Sequence, residues 1–238
     1  MEPQSQEKTG RRLPWTKVVQ ALLYFLLLPF VPLIVSWRWG WWQGWVGAGL
    51  AILATVVSRV LALRKNPDLA AERGQTTSGE GTKSWDRVLV PVVAIFGPLA
   101  LYVVAGLDER FAWSPDLPVG VNLAGLVAVF LGYVLGTWAL VENRFFSSVV
   151  RIQKDRGHTV VTSGPYRLVR HPAYSGAVGA VLGGALLLNS LWALHPAGLV
   201  VVGIVIRTAL EDRTLQAELP GYAEYARQTR YRLLPGIW

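Results

Sequence analysis

The chain has 238 residues, 52% hydrophobic and only 16% charged, with a mean hydropathy of +0.36 and a formal net charge of +8. Soluble domains carry about 25% charged residues, so this balance excludes an ordinary water-soluble fold. The basic excess sits between apolar runs rather than on one face, which argues against a nucleic-acid partner. With no Cys there is no disulfide, thiolate site or thiol nucleophile, and three His with few carboxylates argue against a metal.

Residues 1–14 are polar and basic, and no small-residue cleavage site follows, so no cleavable signal peptide is expected. Six apolar runs follow, at 16–36, 42–63, 87–107, 119–141, 173–190 and 192–210, each near the ~20 residues that span hydrocarbon. The expected fold class is all-α: a polytopic integral membrane helical bundle of about six transmembrane helices. The eleven Trp suit headgroup depth. Gly47-Ala48-Gly49 in the second run lacks the third glycine of a dinucleotide loop. The Gly, Ser and Thr-rich stretch Asn66–Ser84 reads as a surface loop. Gly132/Gly136 and Gly179/Gly183, each four apart, permit close helix approach within one subunit. Only Leu188-Asn189-Ser190-Leu191 joins the last two runs, predicting a tight hairpin, with a five-span count as the alternative.

Twenty-one of the 23 Lys and Arg lie before run one, in or beside the gaps after runs two and four, or at the end of run six. The opposite loops hold only Arg38 and Arg110. The positive-inside rule then puts both termini in the cytoplasm, N-in/C-in. The chain divides into residues 1–141, helices one to four with a cytoplasmic loop over 64–87, and residues 142–238, which hold two polar islands.

The first island runs from Gly164 to Tyr174, at the mouth of run five. The second is Arg207-Thr208-Ala209-Leu210-Glu211-Asp212-Arg213, ending run six. A charge near hydrocarbon costs roughly 2.5–3.5 kcal/mol on insertion scales, which makes such islands functional-site candidates. Pro172 suits the first turn of a helix and predicts amide donors free to meet an anion. Tyr174 follows His171 by three residues, on one face. Arg207 and Glu211 share a face as an intrahelical ion pair, or else Arg207 holds a carboxylate while Glu211 or Asp212 holds a cation. Tyr222, Tyr225, Arg227 and Arg230 decorate a polar helix, bounded by Pro220-Gly221 and Pro235-Gly236, that closes the pocket. His195-Pro196 repeats the dipeptide without nearby charge and is read as a helix start.

The runs His158-Thr159-Val160-Val161-Thr162-Ser163-Gly164-Pro165-Tyr166 and Arg170-His171-Pro172-Ala173-Tyr174-Ser175-Gly176 resemble the isoprenylcysteine carboxyl methyltransferase family. So do Glu211-Asp212, Leu219-Pro220-Gly221-Tyr222-Ala223-Glu224-Tyr225 and the ending Leu234-Pro235-Gly236-Ile237-Trp238. The resemblance is close over about residues 142–238, and the wider superfamily also includes phospholipid N-methyltransferases. It implies a multi-pass membrane enzyme that uses S-adenosyl-L-methionine without a Rossmann domain. The cofactor would lie between the Arg-His-Pro segment, the hairpin and the C-terminal helix.

Carried over by motif position, His158, Val160, Gly164, Tyr166, Arg170, His171, Tyr174, Glu211 and Asp212 would bind that cofactor. Arg207, Glu211 and Arg144 would be catalytic, holding or orienting the acceptor. The family often has Glu-Glu where this chain has Glu211-Asp212. The implied reaction is methyl transfer to a lipid-like or isoprenylated acceptor, with carboxyl O-methylation favoured. Membrane lipids and a lipophilic acceptor would be the partners, without metal or nucleic acid, in the inner membrane if the source is bacterial. Three alternatives stand beside it: a phospholipid N-methyltransferase, a sterol-reductase-like membrane reductase, and a non-catalytic lipid-binding protein.

Overall fold

The computed structural model describes residues 23–66 and 82–238. The start of run one and most of the Asn66–Ser84 stretch lie outside the described residues. Among those described, every regular element is helical: α1 (Leu23–Ser36), α2 (Trp42–Lys65), α3 (Asp86–Phe111), α4 (Val119–Glu142), α5 (Pro172–Leu187), α6 (Leu194–Glu218) and α7 (Tyr222–Gln228). Four of them, α2, α3, α4 and α6, are long and apolar enough to cross a membrane, and α1 and α5 are shorter apolar helices. This is an integral membrane protein with a helical bundle fold.

The α4–α5 seam is the tightest contact and lies within one chain. A Cβ on Gly132 would sit 2.4 Å from the Gly176 carbonyl oxygen, and one on Gly125 would sit 2.5 Å from the Leu187 amide. Gly183 would meet the Gly125 carbonyl at 2.7 Å. The glycines that matter are therefore spaced seven apart on each helix, Gly125/Gly132 against Gly176/Gly183. The four-residue pairs expected from sequence catch one member on each helix, whereas Gly136 and Gly179 have no close neighbour for an added Cβ. Small residues are what let backbones approach in lipid, where burial of apolar surface gives no drive.

The α5–α6 hairpin forms as expected. Asn189 takes the left-handed conformation (φ 55°), which Asn tolerates through local polar contacts. The polar groups of the turn find partners across the bundle. Asn122 donates to the Leu186 carbonyl at 2.9 Å, and the Ser190 hydroxyl donates to Asp108 and accepts the Ala193 amide at 3.0 Å. Satisfied in this way, the turn can be buried.

Two features depart from plain spanning helices. Pro91 lies inside α3, where it lacks the amide that an interior position needs, and Val92–Phe96 follow as a π-helical turn. The Tyr24 hydroxyl donates to the Ala94 and Ile95 carbonyls exposed there, at 3.1 and 3.2 Å. And α6 runs on past the apolar run, to Glu218, carrying the second island out over the connection 143–171.

Candidate active site

The connection between α4 and α5 is irregular apart from two short 3₁₀ turns, Lys154–Arg156 and Gly164–Arg167. Its shape comes from side chains. Gln153, 1% exposed, donates to the Phe145 carbonyl at 2.7 Å and accepts from Arg156 at 2.6 Å. His158 accepts the Gln153 amide on Nδ1 at 3.3 Å and packs its ring 4.6 Å from that of Phe145.

The His-Pro motif is held by the C-terminal tail. Arg170 and His171 donate their amides to the Tyr231 and Arg232 carbonyls, both at 2.9 Å, and the Ser175 hydroxyl donates to the Leu233 carbonyl at 2.7 Å. The Tyr174 and Ser175 amides are taken by the His171 carbonyl at 3.0 and 3.1 Å. This corrects the expectation of a helix start with donors free for an anion: only Ala173 is left without a backbone acceptor.

The acids Glu211 and Asp212 have separate surroundings. Asp212 is fully buried, accepting from Arg170 Nη1 (2.9 and 3.0 Å), Arg232 Nε (2.9 Å), the Tyr222 hydroxyl (3.1 Å) and Gln216 (2.8 Å). His171 Nε2 stands 3.4 Å away. With every lone pair engaged, Asp212 joins the motif, α6, α7 and the tail. Glu211 instead faces the pocket and accepts the Tyr174 hydroxyl at 2.7 Å. Arg207 pairs with Asp86 (Nε–Oδ1 2.7 Å) rather than with Glu211, and its guanidinium lies 5.3 Å over the Tyr174 ring.

These groups surround one pocket, open on one side. Phe145, His158 and the segment Thr159–Val161 form one wall, His171 and Tyr174 a second, Arg207 and Glu211 a third. Tyr222 and Tyr225 of α7, with Tyr166, close it. The Tyr225 hydroxyl donates to the Tyr166 carbonyl at 2.7 Å. Burial pushes the Tyr225 phenol up to about 12, and raises Tyr166 and Tyr222 well above the usual phenol range. All three are therefore neutral donors at physiological pH.

Of the residues singled out from sequence, His158, Val160, Tyr166, Arg170, His171, Tyr174, Arg207 and Glu211 line this one pocket. Asp212, Gly164 and Arg144 stand outside its lining. Gly164 makes the turn: its φ is +56°, and an added Cβ would come within 3.0 Å of Glu142 and Trp138. Arg144 is exposed, with its guanidinium 4.8 Å over the outer Phe145 ring. His195 lies elsewhere, exposed and stacked on Trp192 at 5.4 Å. Sequence reasoning missed Asp86, Gln153 and Arg232. For Asp86 the available signal was a lone carboxylate at the mouth of an apolar run.

The phospholipid methyltransferase family model matches residues 121–219, which include most of α4, all of α5 and α6, and the motif between them. This part of the chain is similar to that methyltransferase family. Several of the proteins it resembles are named protein-S-isoprenylcysteine O-methyltransferases. A probable protein-S-isoprenylcysteine O-methyltransferase of Oryza sativa subsp. indica is 46% identical over 57 residues, covering 24% of this chain and 30% of that protein. The protein-S-isoprenylcysteine O-methyltransferase of Rattus norvegicus is 32% identical over 128 residues, 50% of this chain and 43% of that protein. A cobalt-zinc-cadmium resistance protein, CzcN of Cupriavidus metallidurans, is 43% identical over 77 residues, 31% of this chain and 35% of that protein. The chain thus spans less than half the length of these relatives.

Proposed function

We propose that this chain is an integral membrane methyltransferase that uses S-adenosyl-L-methionine and acts on a lipid-like or isoprenylated acceptor, with carboxyl O-methylation favoured. The observation that carries the reading is the convergence of the family-matched motif, α6 and α7 on one pocket with aromatic walls and a carboxylate.

The residues present fit S-adenosylmethionine. Arg170 Nε is buried with no hydrogen-bond partner among the described residues, a donor suited to a ligand carboxylate. The Thr159–Val161 amides bond to no backbone acceptor among the described residues, so this segment suits an adenine. Phe145 and the tyrosines offer flat faces, and Glu211 suits the cationic end. When bound, the cofactor supplies a methyl group on a sulfonium, which brings its own leaving group.

The protein's part is then to position, to hold charge and to exclude water. Tyr174 orients Glu211 through its hydroxyl. Arg207 keeps a positive charge at the pocket for an anionic acceptor, and α7 covers the site. A carboxylate acceptor needs no base. A neutral amine loses a proton, and Glu211, which accepts only a hydroxyl and joins no ion pair among the described residues, is suited to take it. That feature favours phospholipid N-methylation as the second reading.

Six spans, with both termini and the pocket facing the cytoplasm, make up the proposed topology. The distribution of Lys and Arg supports it, and a bacterial source would place the protein in the inner membrane. The reading is tested by incubating the purified protein with isotopically methyl-labelled S-adenosylmethionine and a host lipid extract, and identifying the labelled product.

A further inference from the structure

Asp86 opens α3, is fully buried, and grips an arginine 121 residues away. Its Oδ1 accepts from Arg207 Nε at 2.7 Å and its Oδ2 from Arg207 Nη2 at 3.2 Å. The same Oδ2 takes the Val150 amide at 2.6 Å, while Arg207 Nη2 donates to the Ser148 carbonyl at 3.1 Å. Lys83, just upstream, donates its amide to the Val150 carbonyl at 3.2 Å. The pair therefore closes on α6 and on the Ser148–Val150 segment together, and Val149 and Val150 are pocket wall.

A buried carboxylate keeps its charge only when paired and hydrogen-bonded, and both Asp86 oxygens are engaged. So fixed, the guanidinium is pinned across the Tyr174 ring, and the Tyr174 hydroxyl holds Glu211. Misplacing a reacting group by about 1 Å can lower a rate by 10²-fold, so the anchor of such a relay matters as much as its end.

We infer that Asp86 is a positioning residue for the transfer reaction: it fixes Arg207 and, through it, the Tyr174–Glu211 pair and the Ser148–Val150 wall. Asp86 lies outside the family-matched residues 121–219, so the first half of the chain completes the site of the second. The inference rests on the methyltransferase reading above.

A double-mutant cycle in the full-length protein tests it. Asp86→Asn keeps the shape and an acceptor for the Val150 amide but removes the charge. It should lower methyl transfer by about 30-fold while S-adenosylhomocysteine affinity stays within about 2-fold. In an Arg207→Gln background the same change should add less than about 2-fold, because residues acting as a unit are not additive. Multiplicative losses, wild-type transfer by Asp86→Asn, or a parallel loss of S-adenosylhomocysteine affinity would each overturn the inference. If Asp86→Asn does not fold, Asp86→Glu moves the charge by one methylene. It should lose about 10-fold in transfer with cofactor affinity kept, and wild-type turnover would overturn the inference.

Hydrogen exchange at Ser148–Val150 reads the clamp without chemistry. Asp86→Asn and Arg207→Gln should accelerate it equally, and unchanged exchange in both contradicts the clamp. A wild-type protein that transfers no methyl group would sink the functional reading, and the exchange result would then decide the positioning role by itself.

Discussion

The Tyr174 hydroxyl donates to the Glu211 carboxylate at 2.7 Å, joining the first turn of α5 to α6 at the pocket wall. This is the only hydrogen bond to the Glu211 carboxylate among the described residues, so it sets where the carboxylate points. Tyr174→Phe removes the hydroxyl and little else. Methyl transfer should fall about 10- to 100-fold, within the span that proton-handling and positioning groups contribute, with S-adenosylhomocysteine binding preserved. Turnover at the wild-type rate would mean that Glu211 needs no such guide.

Glu211 and Asp212 should separate cleanly in their effects. Glu211→Gln should leave a folded protein that transfers methyl groups poorly. Asp212→Ala strands the buried Arg170 and half-exposed Arg232, and breaking a buried pair costs about 3–5 kcal/mol. Thermal unfolding in detergent should therefore show a large drop for Asp212→Ala and almost none for Glu211→Gln. Equal losses of stability would contradict the division of labour between the two acids.

The two His-Pro dipeptides offer a second contrast. His171 is buried at the pocket, whereas His195 is exposed against Trp192. His171→Ala should weaken S-adenosylhomocysteine binding about 10-fold, equivalent to ~1.4 kcal/mol, and His195→Ala should leave it unchanged, both by calorimetric titration. Equal weakening by both would assign the dipeptide to helix initiation alone.

The α4–α5 seam predicts a stability effect far from the chemistry. Gly132→Ala places a methyl where the Gly176 carbonyl oxygen would be 2.4 Å away, so the helices must separate. Overpacking of this kind costs about 1–3 kcal/mol. Gly136→Ala, with nothing within 4 Å, should be close to neutral in the same unfolding assay.

Much of the bundle was legible because apolar runs of spanning length permit one backbone solution in lipid, the helix. The ends were less so. From Arg207 on, α6 turns polar, since Arg207 and Glu211 face a pocket rather than lipid, and hydropathy cannot distinguish that from a helix end. Local spacing offered Glu211, four residues away, as one partner for Arg207, but its partner is Asp86 on another helix, a relation no window can register. The glycine seam was half read for a similar reason, because its period of seven is set by the partner helix. The pocket-lining motif residues came from family likeness, whereas the quite different fates of Glu211 and Asp212 needed the packing of α7 and the tail.

Topology can be read in this Cys-free chain by single introduced cysteines at exposed positions. Thr162→Cys and Ala223→Cys, near the pocket, should label with an impermeant maleimide from one side of the membrane, and Pro115→Cys from the other. Labelling of all three from the same side would contradict the six-span arrangement.

The central claim, that this pocket transfers methyl groups from S-adenosylmethionine, is tested most directly by following labelled methyl into host lipid extract with wild-type protein and Glu211→Gln side by side. The account predicts label in a lipophilic product with wild type, and a large loss with Glu211→Gln although that variant still binds S-adenosylhomocysteine. No labelled product from wild type that binds the cofactor, or undiminished transfer by Glu211→Gln, would contradict it.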